Sequence, residues 1–263
     1  MSDAKADLIE LLGAAGEELR HAGKLLGDAG EIAWDRLLDW FVDDYFRVDL
    51  LGLENVPAAG PAVLVANHSG AYGLDAFVLQ KVLGRSLGRT VHYPAAPFLF
   101  RFPVLGSYAR KNGAFPINPM VGMEHLAGGE LVGVFPEGVS GLEKPMRERY
   151  RLRPFSPGFA VSALRAGAPV LPVALVGAEE SVPRLGEVPA LARLLDLPFF
   201  PVTPPFPLPA KWTVTIGEPI PAPARPESYA ARAVAARDFS ERAQAAVQEL
   251  LDGELAGRET PFW

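Results

Sequence analysis

The chain contains no cysteine, and only four histidines, four methionines and four tryptophans among its 263 residues. The missing cysteine excludes a disulfide framework, a thiolate nucleophile and any Cys-ligated zinc or iron–sulfur site. It also fits a reducing compartment. Charge is sparse: Asp, Glu, Lys and Arg make up 21% of the chain against 49% hydrophobic residues, a balance foreign to disordered chains. With a net charge of −6 and a pI near 5.3, the chain lacks the basic footprint of a general nucleic-acid binder, so no nucleic-acid partner is expected. A clean apolar run is absent too. The longest uncharged stretch, Asn55 to Leu74, contains Asn67, His68, prolines and glycines, and does not supply the ~20 apolar residues of a spanning helix. Asp3, Asp7 and Glu10 interrupt any apolar core of a secretory signal, so none is expected.

Other residue types are plentiful. Gly and Pro number 26 each, and mean hydropathy is slightly positive at +0.14. With no spanning helix to account for it, that hydrophobicity is expected in a core or on a face that meets lipid. The length suits one large domain, with or without an appendage.

Residues 3–46 read as helix. Leu8, Leu12, Ala15, Leu19, Ala22, Leu26, Ala29, Ala33, Leu37 and Trp40 recur at steps of three and four, and Glu17, Glu18, Arg20, Lys24, Asp28 and Glu31 lie opposite. Gly13, Gly16, Gly23, Gly27 and Gly30 weaken this helix or break it into an antiparallel pair. The segment 1–46 is therefore read as an N-terminal amphipathic helical segment, either packed on the main domain or serving as a membrane-surface element. Residues 47–263 form the main domain.

In that domain strands and helices alternate. Strand-like alternation begins at Phe46. Ala62–Ala66, Leu131–Phe135 and Pro169–Val176 are short, continuous apolar runs typical of buried strands. Thr90–Tyr93 reads as a further strand, and the alternation of Trp212–Ile216 as an edge strand. Helices are expected at Asp75–Leu83, Gly158–Arg165 and Ser228–Leu251. The pattern predicts an α/β fold with a mixed, largely parallel central sheet flanked by helices. Leu197–Ala210 holds six prolines, three phenylalanines and no charge, so it is neither helix nor central strand. Such a segment packs across the domain or meets a membrane. Pro97–Leu105 poses the same alternative.

Among the histidines, no pair has the spacing of a helical metal site, and no metal ligand set is expected. His68 stands apart because it directly follows a buried strand, where α/β sheets place their ligands. Ser69 and Gly70 follow as a tight turn, and Asp75 opens a helix. A carboxylate so placed can fix the imidazole tautomer and leave the other ring nitrogen as a general base. Phe135-Pro136-Glu137-Gly138 ends a second buried strand and should reach the same sheet edge. Gly138 permits close backbone approach, and Glu137 either meets a hydroxyl or folds into the site; a plain strand-to-loop turn is the simpler reading. No nucleophile elbow or phosphate-cradling loop is present.

These motifs, in this order and separation, resemble the PlsC-like glycerolipid acyltransferases, with Asn67-His68 and Asp75 as the first block, Phe135-Pro136-Glu137-Gly138 as a later one, and Val170-Leu171-Pro172-Val173 as the following strand. The likeness covers roughly 47–220, and the longer His–Asp loop, the Pro-rich segment and Pro209–Pro219 look like a bacterial subgroup. The resemblance implies an acyltransferase domain over 47–263 that uses acyl-CoA or acyl-carrier protein as co-substrate. His68 and Asp75 would be catalytic. Asn67, Ser69, Gly70, Phe135, Pro136, Glu137 and Gly138 would line the substrate site. It implies an acceptor hydroxyl attacking a thioester without covalent intermediate, metal or other cofactor, at the cytoplasmic face of a membrane. The oxyanion would be met by backbone N–H groups near Ser69, Gly70 or Gly138.

The sequence departs from the family pattern in three places. The family's Asp stands five positions after His, where this chain has Gly73; Asp75 then fills the role from a loop two residues longer, or is displaced. The family's usual arginines fall at Pro119 and at Val139 or Ser140. Those arginines hold the acceptor's phosphate, so a neutral lipid acceptor, such as mono- or diacylglycerol, is expected. Lys144, Arg147, Arg149, Arg151 and Arg153 offer a counter-reading in which relocated ligands, Arg149 and Arg151 among them, serve a lysophosphatidate-type acceptor. The same run also reads as a solvated face. A lipid-binding module that kept the fold without catalysis, or a hydrolase with water as acceptor, are the remaining alternatives.

Overall fold

The computed structural model describes residues 24–70, 73–197 and 199–260. Residues 24–40 form α1, which runs into one π-helical turn at Phe41–Tyr45. There follow β1 (Asp49–Leu51), β2 (Ala62–Ala66), α2 (Leu74–Ser86), β3 (Val91–Ala95), α3 (Pro103–Lys111), β4 (Ala114–Pro116), α4 (Pro119–Ala127) and β5 (Leu131–Val134). The second half holds α5 (Val139–Leu142), α6 (Gly158–Ala166), β6 (Val170–Val176), α7 (Ala178–Ser181), β7 (Gly186–Glu187), α8 (Pro189–Leu194), β8 (Pro201–Val202), β9 (Thr213–Ile216) and α9 (Tyr229–Ala256).

Seven strands form one sheet in the order β1-β9-β6-β2-β5-β3-β4. β6, β2, β5, β3 and β4 are mutually parallel; β9 runs antiparallel to β6, and β1 parallel to β9. The sheet is therefore mixed and largely parallel, as expected. Every residue of β2 and β6 is buried, because helices cover both faces. Side chains alternate between those faces. Val63, Val65, Val170 and Ala174 pack with Phe159, Ala163, Phe239, Ala243 and Val247 of α6 and α9. Leu64, Ala66, Leu171 and Val173 pack with Leu79 and Leu83 of α2. The α9 start is capped by Ser228, whose hydroxyl accepts from Ala231 N at 3.1 Å.

Two expectations are corrected. Trp212–Ile216 is not an edge strand: β9 lies between β6 and β1. Its alternation has another cause. Val214 and Ile216 face the core, whereas Thr215 looks toward the end of α9, where its hydroxyl bonds Glu254 at 2.7 Å. The helix expected over 3–46 is observed from residue 24, its first part lying outside the described residues, and its packed face coincides only in part with the predicted stripe: Leu37 packs on the domain beside Trp34 and Leu38. Leu38, Phe41 and Val42 are buried, and Asp35 pairs with Lys81 of α2 and with the Tyr108 hydroxyl. Leu26, Ala29, Ala33 and Trp40 of the predicted stripe are exposed, as are Leu25 and Ile32. The helix is thus held to the domain by Trp34, Leu37, Leu38, Phe41 and Val42 together with Asp35, while Leu26, Ala29 and Ala33 of the stripe face outward.

The Pro-rich segment packs in part across the domain. Val202 and Pro201 pair with β7, and Leu208 N bonds Ser181 O at 2.7 Å, yet Val202, Phe206 and Leu208 remain exposed. Phe206 meets Trp40, Phe41 and Tyr45 in an aromatic cluster that joins this segment to α1. None of the described helices is long and apolar enough to cross a membrane.

Candidate active site

Parallel pairing of β2 with β5 and β6 brings three carboxyl-terminal strand ends side by side, so His68, Glu137 and Glu179 arrive at one edge of the sheet. At its centre, His68 Nδ1 stands 2.8 Å from Asp75 Oδ2. Asp75 is fully buried in the first turn of α2, where the helix N-terminus favours a carboxylate. The same Oδ2 accepts from Ser69 N at 2.7 Å, and Oδ1 accepts from Ala76 N at 2.9 Å. The seven-residue separation therefore closes into a direct His–Asp pair. With Nδ1–H donated to Asp75, the lone pair of Nε2 points away from the carboxylate, and the side chain keeps 15% exposure. The Phe135 ring stacks on the imidazole, centroids 4.5 Å apart, and restrains its orientation.

Several predicted site residues turn out to be the frame rather than the face of this pair. Asn67, fully buried, bonds both backbone groups of Leu175: Nδ2 donates to its carbonyl at 2.9 Å and Oδ1 accepts its N–H at 2.7 Å. That locks the end of β2 to β6. Glu137 also points inward. Its Oε1 accepts His68 N at 2.9 Å and its Oε2 accepts Arg153 N at 2.7 Å, so it ties the His68 loop to the 144–153 segment. Of the backbone donors expected for an oxyanion, Ser69 N is held by Asp75 and Gly138 N by the Phe135 carbonyl at 2.9 Å. Gly70 N–H has no acceptor among the described residues. The Ser69 hydroxyl is buried without a partner among the described residues. Gly138 sits at φ 57°, ψ −146°, a region open essentially to glycine alone, and so turns the chain from β5 into α5. The Pro136 carbonyl accepts Ser156 N at 3.0 Å.

The basic run divides. Lys144 is buried between Glu179 Oε1, at 2.9 Å, and Glu137 Oε2, at 3.3 Å, as an ion pair whose angles depart from those of directed hydrogen bonds. Arg153 pairs with Glu148. Arg149 and Arg151 are exposed, with Arg149 reaching the Met146 carbonyl at 3.5 Å, and among the described residues neither touches the His68–Asp75 pair. At the departures from the family pattern, Val139 is 38% exposed, the Ser140 hydroxyl donates to the Glu137 carbonyl at 2.6 Å, and Pro119 opens α4 behind its Asn118 cap.

The sequence reading missed Glu179 and Gly141, and it read Lys144 as a phosphate ligand or part of a solvated face, whereas Lys144 is buried between two carboxylates. One lysine faces two buried carboxylates here, and burial pushes the Glu179 carboxyl up to about 7 against the pull of Lys144 and the Tyr150 N–H. The signal was available for Glu179, which, like His68, closely follows a fully buried strand. Gly141 packs directly behind His68, with no room for a methyl group.

With this geometry in hand, comparison with known proteins is informative. Residues 47–176 match the Acyltransferase family model. An uncharacterized protein of Mycobacterium tuberculosis is 36% identical over 280 residues, covering 98% of this chain and 78% of that protein. A chloroplastic 1-acyl-sn-glycerol-3-phosphate acyltransferase of Brassica napus is 30% identical over 53% of this chain and 40% of its own length. The DGAT1/2-independent enzyme synthesizing storage lipids of Gallus gallus is 29% identical over 66% of this chain and 52% of its own. The crystal structure of the 1-acyl-sn-glycerophosphate acyltransferase PlsC from Thermotoga maritima superposes with a TM-score of 0.58 at 22% identity, over 90% of this chain and 82% of that one. Motifs, sheet topology and kinship agree, and the chain belongs to the PlsC-like glycerolipid acyltransferase family.

Proposed function

We propose that the chain transfers a fatty acyl group from a thioester, acyl-CoA or acyl-carrier protein, to a hydroxyl of a lipid acceptor, with His68 as general base. The observation that carries this reading is the 2.8 Å His68–Asp75 contact with Nε2 left to face the substrate. The acceptor's O–H proton passes to Nε2 as its oxygen attacks the thioester carbonyl. Asp75 stabilises the imidazolium. The tetrahedral intermediate then expels the thiolate, which takes the proton back from His68. Gly70 N–H is the backbone donor left for the oxyanion. The step balances with these residues and two substrates, so no further cofactor is invoked.

A neutral acceptor, mono- or diacylglycerol, is favoured over a phosphomonoester. The positions of the family's phosphate-holding arginines carry Pro119, Val139 and Ser140, and the buried Lys144 is already matched by two carboxylates. The Gallus gallus relative, named for storage lipids, supports the same choice. A 1-acylglycerol-3-phosphate acyltransferase is the second reading, supported by the exposed Arg149 and Arg151 and by the Brassica napus relative. For location, the outward stripe of α1 and the exposed Phe206 and Leu208 support peripheral attachment to a membrane, on the cytoplasmic face where thioester donors are available.

The test is thiol release from palmitoyl-CoA by purified protein with monoacylglycerol, diacylglycerol or lysophosphatidate added in turn. Release should depend on a neutral acceptor and fall by ~10²–10⁴-fold in His68→Ala. Release with lysophosphatidate alone would overturn the neutral acceptor, and wild-type turnover in His68→Ala would overturn the base. Co-sedimentation with anionic and neutral liposomes tests the membrane reading; protein remaining in the supernatant with both would refute it.

A further inference from the structure

A second group of chemically active side chains lies at the opposite edge of the sheet. His92 is the second residue of β3, His125 lies in the last turn of α4, and Glu130 immediately precedes β5. His92 pairs in register with Val132, which pairs with Val63. His68 follows Val63 by five positions along β2, so the two sites are separated by roughly 15 Å along the strand direction. None of these three residues takes part in the acyl-transfer geometry.

The arrangement is convergent. His125 Nδ1 lies 2.5 Å from Glu130 Oε2, and His92 Nε2 lies 3.3 Å from the same oxygen. The two imidazoles stack face to face, centroids 3.8 Å apart and 14° from parallel, and Phe115 packs against His125 at 5.2 Å. Among the described residues these are the one group of three His, Cys, Asp or Glu side chains whose ligand atoms all fall within 4.8 Å of one another. Two nitrogens and one carboxylate oxygen that meet at a point are a zinc-type donor set.

The surroundings pre-form the group. Gly113 packs on the Nδ1 side of His92, which leaves Nε2 for the cluster. Glu130 is fixed relative to His125 by the close of α4, where Glu130 N bonds the His125 carbonyl at 3.0 Å and Gly129 N bonds the Leu126 carbonyl at 3.1 Å. Arg89 clamps the same turn through the Gly129 and Gly60 carbonyls, each at 2.8 Å. With Zn–N and Zn–O bonds of about 2.0–2.2 Å, tetrahedral ligand atoms stand about 3.4 Å apart, and the 2.5 Å and 3.3 Å separations from Glu130 Oε2 lie within about 1 Å of that spacing.

We propose that His92, His125 and Glu130 form a binding site for a divalent transition-metal ion of the zinc type, with water completing the coordination. The ion would clip the start of β3 to the α4–β5 turn, a structural site remote from the His68 chemistry. Three separate elements supply the ligands, with 32 positions between the two histidines, which is why local spacing showed no metal motif.

The experiment uses the full, tag-free chain after treatment with chelator. Titration calorimetry with Zn²⁺ should give one equivalent bound with a Kd of about 10 μM or tighter. Co²⁺ should give the visible absorption of a low-coordinate ion. Saturating Zn²⁺ should raise Tm by about 5 °C or more. His125→Ala and Glu130→Gln, each shown by its metal-free melt to be folded, should weaken binding at least ~10-fold and lose the Tm shift. Binding weaker than that Kd, or equal binding by wild type and both variants, would overturn the proposal. The readout is binding, so it stands or falls separately from the acyl-transfer reading, and thioester turnover by His125→Ala should match wild type.

Discussion

Replacing Gly141 by alanine tests whether the His68 geometry is held from behind. A methyl group at Gly141 would stand 2.7 Å from the His68 carbonyl oxygen, 2.9 Å from Glu137 Cβ and 3.0 Å from His68 Cβ. None of these is the far end of a flexible side chain, so relief requires moving the His68 backbone, the Glu137 backbone or α5 itself. Overpacking of this kind costs about 1–3 kcal/mol. That is a tolerable loss for the fold. The larger effect falls on catalysis, because His68 N is bonded to Glu137 and its ring to Asp75, and both contacts must shift together. A misplacement approaching 1 Å costs on the order of 10²-fold in rate. The assay is acceptor-dependent thiol release, with kcat and KM separated, beside a thermal melt. The expected result is a fall in kcat of ~10–10²-fold in protein whose Tm drops by only several degrees. Gly84→Ala is the matched control. It lies exposed within α2 with open space at its Cβ, and should gain up to ~1 kcal/mol while leaving kcat unchanged. Wild-type kcat in Gly141→Ala would refute the argument that close backbone packing positions the imidazole.

Asp75→Asn should lower kcat severely but less than His68→Ala, since the imidazolium loses its charge partner while the base itself stays; activity near wild type would show that the pair is not used. Glu179→Gln should alter the pH dependence of stability. The folded carboxyl, raised to about 7, keeps a proton that the unfolded chain has released, so its contribution is full below about 4.5 and is lost as pH rises through 7. The variant should remove that loss, on the order of 1–3 kcal/mol, and denaturant midpoints that track wild type in parallel from pH 5 to 8 would contradict it. Val139→Arg restores an arginine at an exposed position of the family pattern and should shift the ratio of lysophosphatidate to diacylglycerol turnover upward by ~10-fold or more, the worth of a charged hydrogen bond; an unchanged ratio would mean the acceptor is selected elsewhere.

Much of this was legible in the sequence because it rests on short-range patterns. A continuous apolar run such as Ala62–Ala66 needs cover on both faces, and a residue just past its end must emerge at the ligand-binding edge of a parallel sheet. That logic located His68 and Glu137 without any structure. The function of Glu137 within the site was not legible, because whether a strand-end carboxylate faces out or in depends on the His68 and Arg153 N–H groups that come to meet it, the second from sixteen residues downstream. The α1 register failed for a related reason. Hydrophobic period alone does not say which side of the stripe meets the domain: Trp34, Leu37, Leu38, Phe41 and Val42 pack against it, and Asp35 and Glu31 pair with Lys81, Tyr108 and Lys111 beside them. The edge assignment of Trp212–Ile216 failed because alternation reports one half-covered face, not a missing neighbour.

The charge balance beside His68 bears on the acceptor. A small pocket bordering Gly70 and Gly141 is lined by Lys144, Glu179 and Arg184. Lys144 is shared by Glu137 and Glu179, and Arg184 is committed to the Glu143 carbonyl and to Glu187. A phosphate dianion entering there would find no uncommitted cation and would have to displace a carboxylate from a buried ion pair, at several kcal/mol. An uncharged glycerol hydroxyl pays no such penalty, and needs only the lone pair of His68 Nε2 and room for its acyl chains. The raised Glu179 carboxyl belongs to the same argument: one buried lysine can neutralise one carboxylate, so a proton held on the second keeps the group closer to neutral, in keeping with the neutral acceptor proposed above.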